Sequence, residues 1–491
     1  MMYIGIDLGT SAAKLLLVDE AGQVRNTVTK EYPLEFPRPG WSQQAPEDWW
    51  QAVLTGVPEL IAGVDAAEVK GIGVGGQMHG LVALDSTDKV IRPAILWNDG
   101  RTAKEVDYLN EIIGRETLSK HTANIAFAGF TAPKLLWMRA NEPDNFARIG
   151  KIMLPKDYIV YRLTGVHATD FSDASGMLLL DVEHRRWSEE MCGICGITVE
   201  QLPRLHESWE AVGTLKAGAA ERLGLSAGTV VCAGAGDNAA AAVGTGTVGA
   251  GGCNISLGTS GTIFISSDRF CVDLNNALHS FAHADGGYHL MGCMLSAASC
   301  NKWWAEDILN TADFAGEQAP ITEDRLGRNH VFFLPYLMGE RSPINDTDAR
   351  GAFVGMTMDT TRADMTQAML EGVAFAIRDS FEVARGLGVD IPCSNICGGG
   401  SKSKLWRTIV ANVLGIPLDM VATEQGPGYG AAILAMVAAG KFPTVQAACA
   451  TLISVADTLE PDPGITARYE ERYQQFRQIY PTMKSLFPKL Q

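Results

Sequence analysis

The chain uses one turn twice. Residues 5–12 read GIDLGTSA and residues 254–261 read NISLGTSG, so Leu-Gly-Thr-Ser closes an apolar run at two places 249 positions apart. Each copy is followed by a second apolar run, the pattern of two strands joined by a tight turn. Of the differences between the copies, one changes charge: Ser256 stands where the first copy has Asp7. At 491 residues the chain is about three times the usual domain size, so two lobes with separate cores are expected, each opened by one copy of the turn.

Composition narrows the class. Hydrophobic residues make up 46%, charged residues 20%, and there are 52 glycines, which is the profile of a compact α/β protein. The formal charge of −16 argues against nucleic-acid and anionic-membrane partners, because such surfaces need clustered Lys and Arg. A phosphorylated nucleotide stays open if backbone N–H groups, helix N-termini and a divalent cation supply the positive field, so glycine-rich turns matter most. There is no apolar run of membrane-spanning length and no secretory leader, so a cytoplasmic protein is expected. The ten cysteines sit in apolar stretches and read as reduced, buried thiols. Cys192 and Cys195 have C-x-x-C spacing but no second ligand pair nearby, and are read as structural.

Along the chain, YIGIDLGT, AAKLLLVDEAGQV and RNTVTKEY read as a three-stranded meander, PEDWWQAVLTGVPELI as a helix, and VKGIGVGG as a further strand. That order is ribonuclease-H-like. Helical stretches at 131–149 and 154–165 look like insertions, and TVVCAGAGDNAAAAVGTG supplies a strand, a turn and a small-residue helix. A second round follows, with strands around 258–261 and at 288–295, a helix over 297–309, a long amphipathic helix over 361–388 and a strand ending in Gly398-Gly399-Gly400. Helices over 401–415 and 426–440 are read with that round, and the tail 460–491 as a polar surface helix. The lobes are expected to cross over near 240–255, with a ligand in the cleft between them.

Asp237 lies in Gly-Ala-Gly-Asp-Asn between an apolar strand and a small-residue helix. Phosphoryl transfer to an alcohol needs a carboxylate near the attacking hydroxyl and otherwise mostly positioning, so Asp237 is a candidate general base. Asp and Asn are also common N-caps, and the two roles are compatible. Two Gly-Thr-Ser turns facing each other would close on a polyphosphate from both sides. One carboxylate, Asp7, then suffices for Mg²⁺, and a second would repel the phosphates. Trp303 and Trp304 are candidates to flank an adenine, with packing as the alternative. The stretch 334–355, with Glu340 and Arg341, reads as a loop over the cleft or an interface segment without an assigned role.

GIDLGTSAAKLLLVD, SLGTSGT and NICGGGSKSKLW resemble the first phosphate, second phosphate and adenosine motifs of the actin, hexokinase and sugar-kinase superfamily. FTAPKLLW (130–137) and GAFVGMTMDTTRADMTQAMLEGVAF (351–375) resemble the two signature regions of the FGGY carbohydrate kinases, in order over essentially the whole chain. GVGGQMHG (73–80), ILWNDGR (95–101), LPKDY (154–158) and GAGDNAAAAVG (234–244) are similar to sugar-side motifs of its pentulose branch.

The resemblance implies an α/β chain of two ribonuclease-H-like lobes of the actin/hexokinase type with an inter-lobe cleft. The lobes would be a sugar-binding one at 1–245 and a nucleotide-binding one at 246–491. It implies ATP and Mg²⁺ as cofactors, with Asp7 at the metal, Thr10, Ser11, Gly258 and Thr259 at the phosphates, and Gly399, Gly400, Ser401 and Lys404 at the adenosine. Met78, His79, Trp97, Asn98 and Asn238 would meet the sugar beside Asp237, with Asp99 as a further lining candidate. D-xylulose is the implied substrate. Another ketopentose, a pentitol or an aldonate is the alternative, and an actin-like or chaperone-like ATPase the remote one. Related kinases are often homodimers.

Overall fold

The computed structural model describes residues 1–422 and 425–490. Two mixed sheets carry the chain, and both repeat one plan. In the first, β1 (Met2–Leu8), β2 (Ala12–Asp19) and β3 (Val24–Glu31) form an antiparallel meander, and α1 (Pro46–Leu60) leads to β4 (Val69–Gly76), which lies parallel to β1. Beyond α2 (Thr131–Asn141) and α3 (Pro155–Thr164), β5 (Val230–Cys232) adds parallel to β4, and α4 (Asp237–Gly244) follows. The strand order is β3-β2-β1-β4-β5.

The second sheet repeats it. β6 (Cys253–Leu257), β7 (Gly261–Ser267) and β8 (Tyr288–Met294) are antiparallel, and α5 (Arg362–Gly386) precedes β9 (Ser394–Cys397), which is parallel to β6. After α6 (Lys404–Leu414), β10 (Leu418–Val421) extends the order to β8-β7-β6-β9-β10. The central strands are apolar on both faces because helices cover both. The helix ends follow local chemistry: Thr361 and Asp364 form a capping box for α5, and Ser403 caps α6 before Gly415 ends it in the left-handed region.

One expectation changes. The helix read with the second round, α7 (Pro427–Ala438), packs on β1, β2 and β4 of the first sheet and against α4. A Cβ on Gly71 would lie 2.9 Å from the carbonyl oxygen of Ala435, one on Gly73 2.0 Å from that of Ala431, and one on Gly75 3.4 Å from that of Pro427. Two strand residues advance about 6.6 Å and four helical residues about 6 Å. Glycine at every second position of β4 thus tracks α7 at every fourth, and a helix from the C-terminal half of the chain covers the first sheet.

Three smaller differences follow from side-chain chemistry. Pro143 splits the expected helix at 131–149 into α2 and a short turn of helix at Pro143–Ala147. The 334–355 stretch is closed at its base by paired strands Phe332–Leu334 and Ala352–Val354. The C-terminal helix, α8 (Pro463–Met483), is not a surface helix only: Tyr469, Tyr473 and Phe476 bury one face, and Tyr469 and Arg472 both bond the buried carboxylate of Glu371. Residue 491 of the expected tail helix lies outside the described residues. Among the described residues, no helix is long and apolar enough to cross a membrane.

Candidate active site

The two echoed turns are both hairpins, and strand residues flanking them line one cavity. Counting across the first turn pairs Asp7 with Lys14, and across the second Ser256 with Thr262. All four line one cavity of about 390 Å³, with Asn238 and Gly398 among the other lining residues. The second turn is shorter, since Gly258 to Ser260 separate its last ladder pair where Gly9 to Ala12 separate the first. Lys14 also donates to Gln425 at 3.3 Å, a contact between residues 411 positions apart in the sequence.

Asp237 opens α4, where its Oδ1 accepts the N–H of Asn238 at 2.7 Å. Burial pushes its carboxyl up to about 7, the Asp7 carboxylate adds to the rise, and the Asn238 N–H opposes it. A base with that affinity is half-ionised at neutral pH and matched to accept an alcohol proton during transfer. Burial also lifts Asp7, to about 6, against the pull of Lys14. Asp7 at the cavity edge, near enough to Asp237 for their charges to interact, suits a hydrated divalent cation carried in on phosphates, which needs only one or two protein carboxylates.

Asn238 ties this turn to the Gln77–His79 turn, its amide reaching the sulfur of buried Met78 at 3.9 Å. His79 follows at φ 71°, a left-handed conformation uncommon for a residue with a Cβ. Three contacts hold it. Thr131 Oγ1 and Lys134 Nζ donate to its carbonyl at 3.0 and 2.9 Å, and its Nδ1 lies 2.7 Å from the Gly176 carbonyl oxygen. A carbonyl only accepts, so Nδ1 carries the proton and Nε2 is left as an acceptor. Burial first, then Lys134, lower the ring to about 3, so the imidazole stays neutral. Thr131 and Lys134 belong to the 130–137 motif, which therefore acts by supporting the His79 turn.

Other expected residues are used differently. Trp97 is 48% exposed, and its indole N–H donates to Thr10 Oγ1 at 3.0 Å, joining the first turn to the 95–101 segment. Thr10 and Ser11 do not line the 390 Å³ cavity. Asn98 is exposed, and Asp99 is buried in a bidentate pair with Arg101, so Asp99 supports the loop and is not part of the 390 Å³ cavity's lining.

In the second lobe, Gly258, Thr259, Gly399 and Gly400 line a larger cavity of about 880 Å³, together with Lys402 and Phe314. Adjacent residues put the two cavities side by side: Ser256 and Gly398 line the smaller, Leu257 and Gly399 the larger. Gly398 sits at φ 88°, where a Cβ would come within 2.8 Å of the Leu257 backbone. Ser401 is buried and donates to the Gly398 carbonyl at 2.7 Å, bracing that turn. Lys404 is exposed and outside the lining, where Lys402 stands instead. Trp303 stacks on Phe333, and buried Trp304 donates to Thr366 at 2.9 Å, so both pack the core and neither lines the cavity.

Sequence reasoning missed Lys14, Lys134 and Lys402. The first was accessible, because hairpin register around Gly9 already sets Lys14 opposite Asp7. It also left Arg341 without a role. The guanidinium of Arg341 lies 4.1 Å from the centre of the Phe127 ring, and its charge helps keep His79 and His279 neutral. Cys192 and Cys195 are buried, and burial raises their thiols to about 11 and about 12, so neither is a thiolate at neutral pH.

Known proteins resemble this chain in sequence and fold. The N-terminal domain of the FGGY family of carbohydrate kinases matches residues 2–244, and its C-terminal domain matches residues 253–439. The xylulose kinase of Escherichia coli (strain K12) is 41% identical over 481 residues, 98% of this chain and 98% of that protein. The crystal structure of a "xyloylose kinase" from Brucella ovis has a TM-score of 0.93 at 41% identity, covering 99% of this chain and 100% of that one. A gluconate kinase from Lactobacillus acidophilus also has a TM-score of 0.93, at 26% identity, covering 100% of this chain and 99% of that one.

Proposed function

Because the chain belongs to the FGGY family of carbohydrate kinases, and is therefore a sugar kinase that uses ATP, we propose that its substrate is D-xylulose and its product D-xylulose 5-phosphate. The observation that carries this reading is the near-full-length identity of 41% to a xylulose kinase, joined to a cavity edge where Asp7 and Asn238 of one lobe meet Ser256 and Gly398 of the other. The gluconate kinase has the same backbone with a different sugar in its name, so the backbone alone does not choose the substrate. Side chains around His79, Asn238 and Asp237 do.

The reaction is in-line transfer. Asp237 takes the proton of the sugar's terminal hydroxyl as that oxygen bonds the γ-phosphorus, and the bond from the γ-phosphorus to the β-bridging oxygen breaks, releasing ADP. His79 accepts a sugar hydroxyl at Nε2, and Asn238 orients the acceptor from the N-terminus of α4. The turns at Thr10-Ser11 and Gly258-Thr259 approach the phosphates with backbone N–H groups, and the Gly399–Lys404 segment lies beside the adenosine. Asp7 would hold Mg²⁺ through water; when bound, the ion offsets phosphate charge. Closure of the lobes excludes water, which would otherwise accept the phosphoryl group. Residues 1–245 would then form the sugar lobe and 246–491 the nucleotide lobe, with α7 crossing back to the first sheet.

Asp237→Asn tests the base. It should keep ATP binding and lower sugar phosphorylation about 10²- to 10⁴-fold, and near-normal turnover would overturn the assignment. A panel of ketopentoses, pentitols and aldonates with coupled ADP detection tests the sugar; a preference for gluconate would replace D-xylulose. ATP turnover independent of any sugar would favour the ATPase alternative.

A further inference from the structure

The LPKDY motif at 154–158 has no role in the chemistry above, yet Lys156 is among the largest fully buried side chains. It lies among three buried carboxylates, its Nζ 2.7 Å from Asp157 Oδ1, 2.9 Å from Asp170 Oδ1 and 3.8 Å from Asp173 Oδ2. A buried ion group of this kind is a poor way to gain stability, because well-packed apolar residues usually do as well or better. Its connections suggest another use. Lys156 Nζ donates to the Ala233 carbonyl at 3.3 Å. Asp170 Oδ2 accepts from Ser172 N, Ser172 Oγ and Ser208 Oγ at 2.8, 2.5 and 2.7 Å. Ser172 Oγ in turn accepts the Gly236 N–H at 3.2 Å, and Gly234 N–H bonds the Ser208 carbonyl at 3.0 Å. The turn from Ala233 to Gly236, which delivers Asp237, is thus held along its length from one ion cluster.

The same helix start touches the sugar-side turn. A Cβ on Gly76 would lie 2.9 Å from Lys156 Cβ, and one on Gly80 2.6 Å from Pro155 Cγ, so Pro155 and Lys156 bracket the segment Gln77–His79. We propose that Lys156, Asp170 and Ser172 form a buried mount that sets the Asp237 turn against the His79 turn, and that Lys156 and Ser172 are positioning residues for phosphoryl transfer. This rests on the reading of Asp237 as the base. Transfer needs the proton acceptor and the hydroxyl aligned to within a fraction of an ångström, which a hydrogen-bonded support supplies and an apolar one does not.

Lys156→Met strands buried carboxylates and is the variant most prone to unfold, so Ser172→Ala, which removes one hydroxyl, is the primary test. Turnover is measured per nucleotide-binding molecule, with ATP-binding stoichiometry counting the folded enzyme, and amide exchange reports Gly236. The expected result is a loss in kcat of about tenfold, KM for ATP within about twofold of the parent, and faster exchange at Gly236. Unchanged kcat per nucleotide-binding molecule would overturn the mount. The two readings fail separately: if Asp237→Asn retains turnover the base assignment falls, whereas an inactive Asp237→Asn with a normal Ser172→Ala sinks the mount alone.

Discussion

The two hairpins share a backbone plan and differ in what they present to the cavity. The first offers two charged groups, Asp7 opposite Lys14, and the second two hydroxyls, Ser256 opposite Thr262. All four are only partly buried, whereas their strand neighbours Leu8 and Leu257 are fully buried. The lesson is that duplication supplied the approach geometry twice, while charge was kept on one side. A carboxylate at Ser256 would face Asp7 across the space where we place phosphates, and like charges there would repel one another and the phosphates.

The largest expected effect that sharpens this contrast is on the charged side. Asp7→Asn should lower kcat about 10- to 100-fold, the usual range for a residue acting on a metal through its ligand shell. It should also move the acid limb of the pH profile. With Asp237 as the proposed base, kcat/KM should rise with pH through about 7, and without Asp7 repelling it the limb should shift to lower pH. A limb unmoved by Asp7→Asn would show that the two carboxylates do not interact.

Ser256→Asp should raise KM for ATP about tenfold by setting a second carboxylate toward the phosphates, and unchanged nucleotide affinity would place the second turn elsewhere. Lys14→Met should raise it about fivefold, in keeping with loss of one partly exposed charge contact. Thr262→Val, which keeps the shape and removes a hydroxyl, should leave both constants within about twofold; a larger change would make the second pair more than a spacer.

The smallest expected effect is on stability. Folded Asp237 holds its proton up to about 7, while an unfolded Asp releases it near about 4. The native state therefore binds more protons between those values, and raising pH through that window favours unfolding. Asp237→Asn, isosteric with the protonated acid, should raise Tm at pH 8, with the gain shrinking as pH falls and largely lost by about pH 4. Equal gains at both pH values would show that the charge is not what destabilises.

Much of the architecture could be read from residue patterns. The meander, the small-residue helix after Asp237 and the capped helix at 362–386 each follow from local periodicity and cap chemistry, and such signals survive folding because they involve neighbours in sequence. The glycines at 71, 73 and 75 were visible too, but not what they admit. That depended on α7, more than 350 residues later, returning to the first sheet. Trp303 and Trp304 fail the other way: an aromatic pair on a helix fits both a nucleotide and a core, and only packing on Phe333 and the bond to Thr366 decide between them.

The sequence by itself determined two lobes of one topology, the two Gly-Thr-Ser hairpins, the single acid between them and the candidate base, because those rest on local pattern, length and residue chemistry. Only the tertiary structure decided which atoms share a cavity, why Lys134 and Lys156 are buried, and how Asp237 comes to hold its proton to about 7. Proximity and desolvation arise between segments hundreds of residues apart, and no local pattern encodes them.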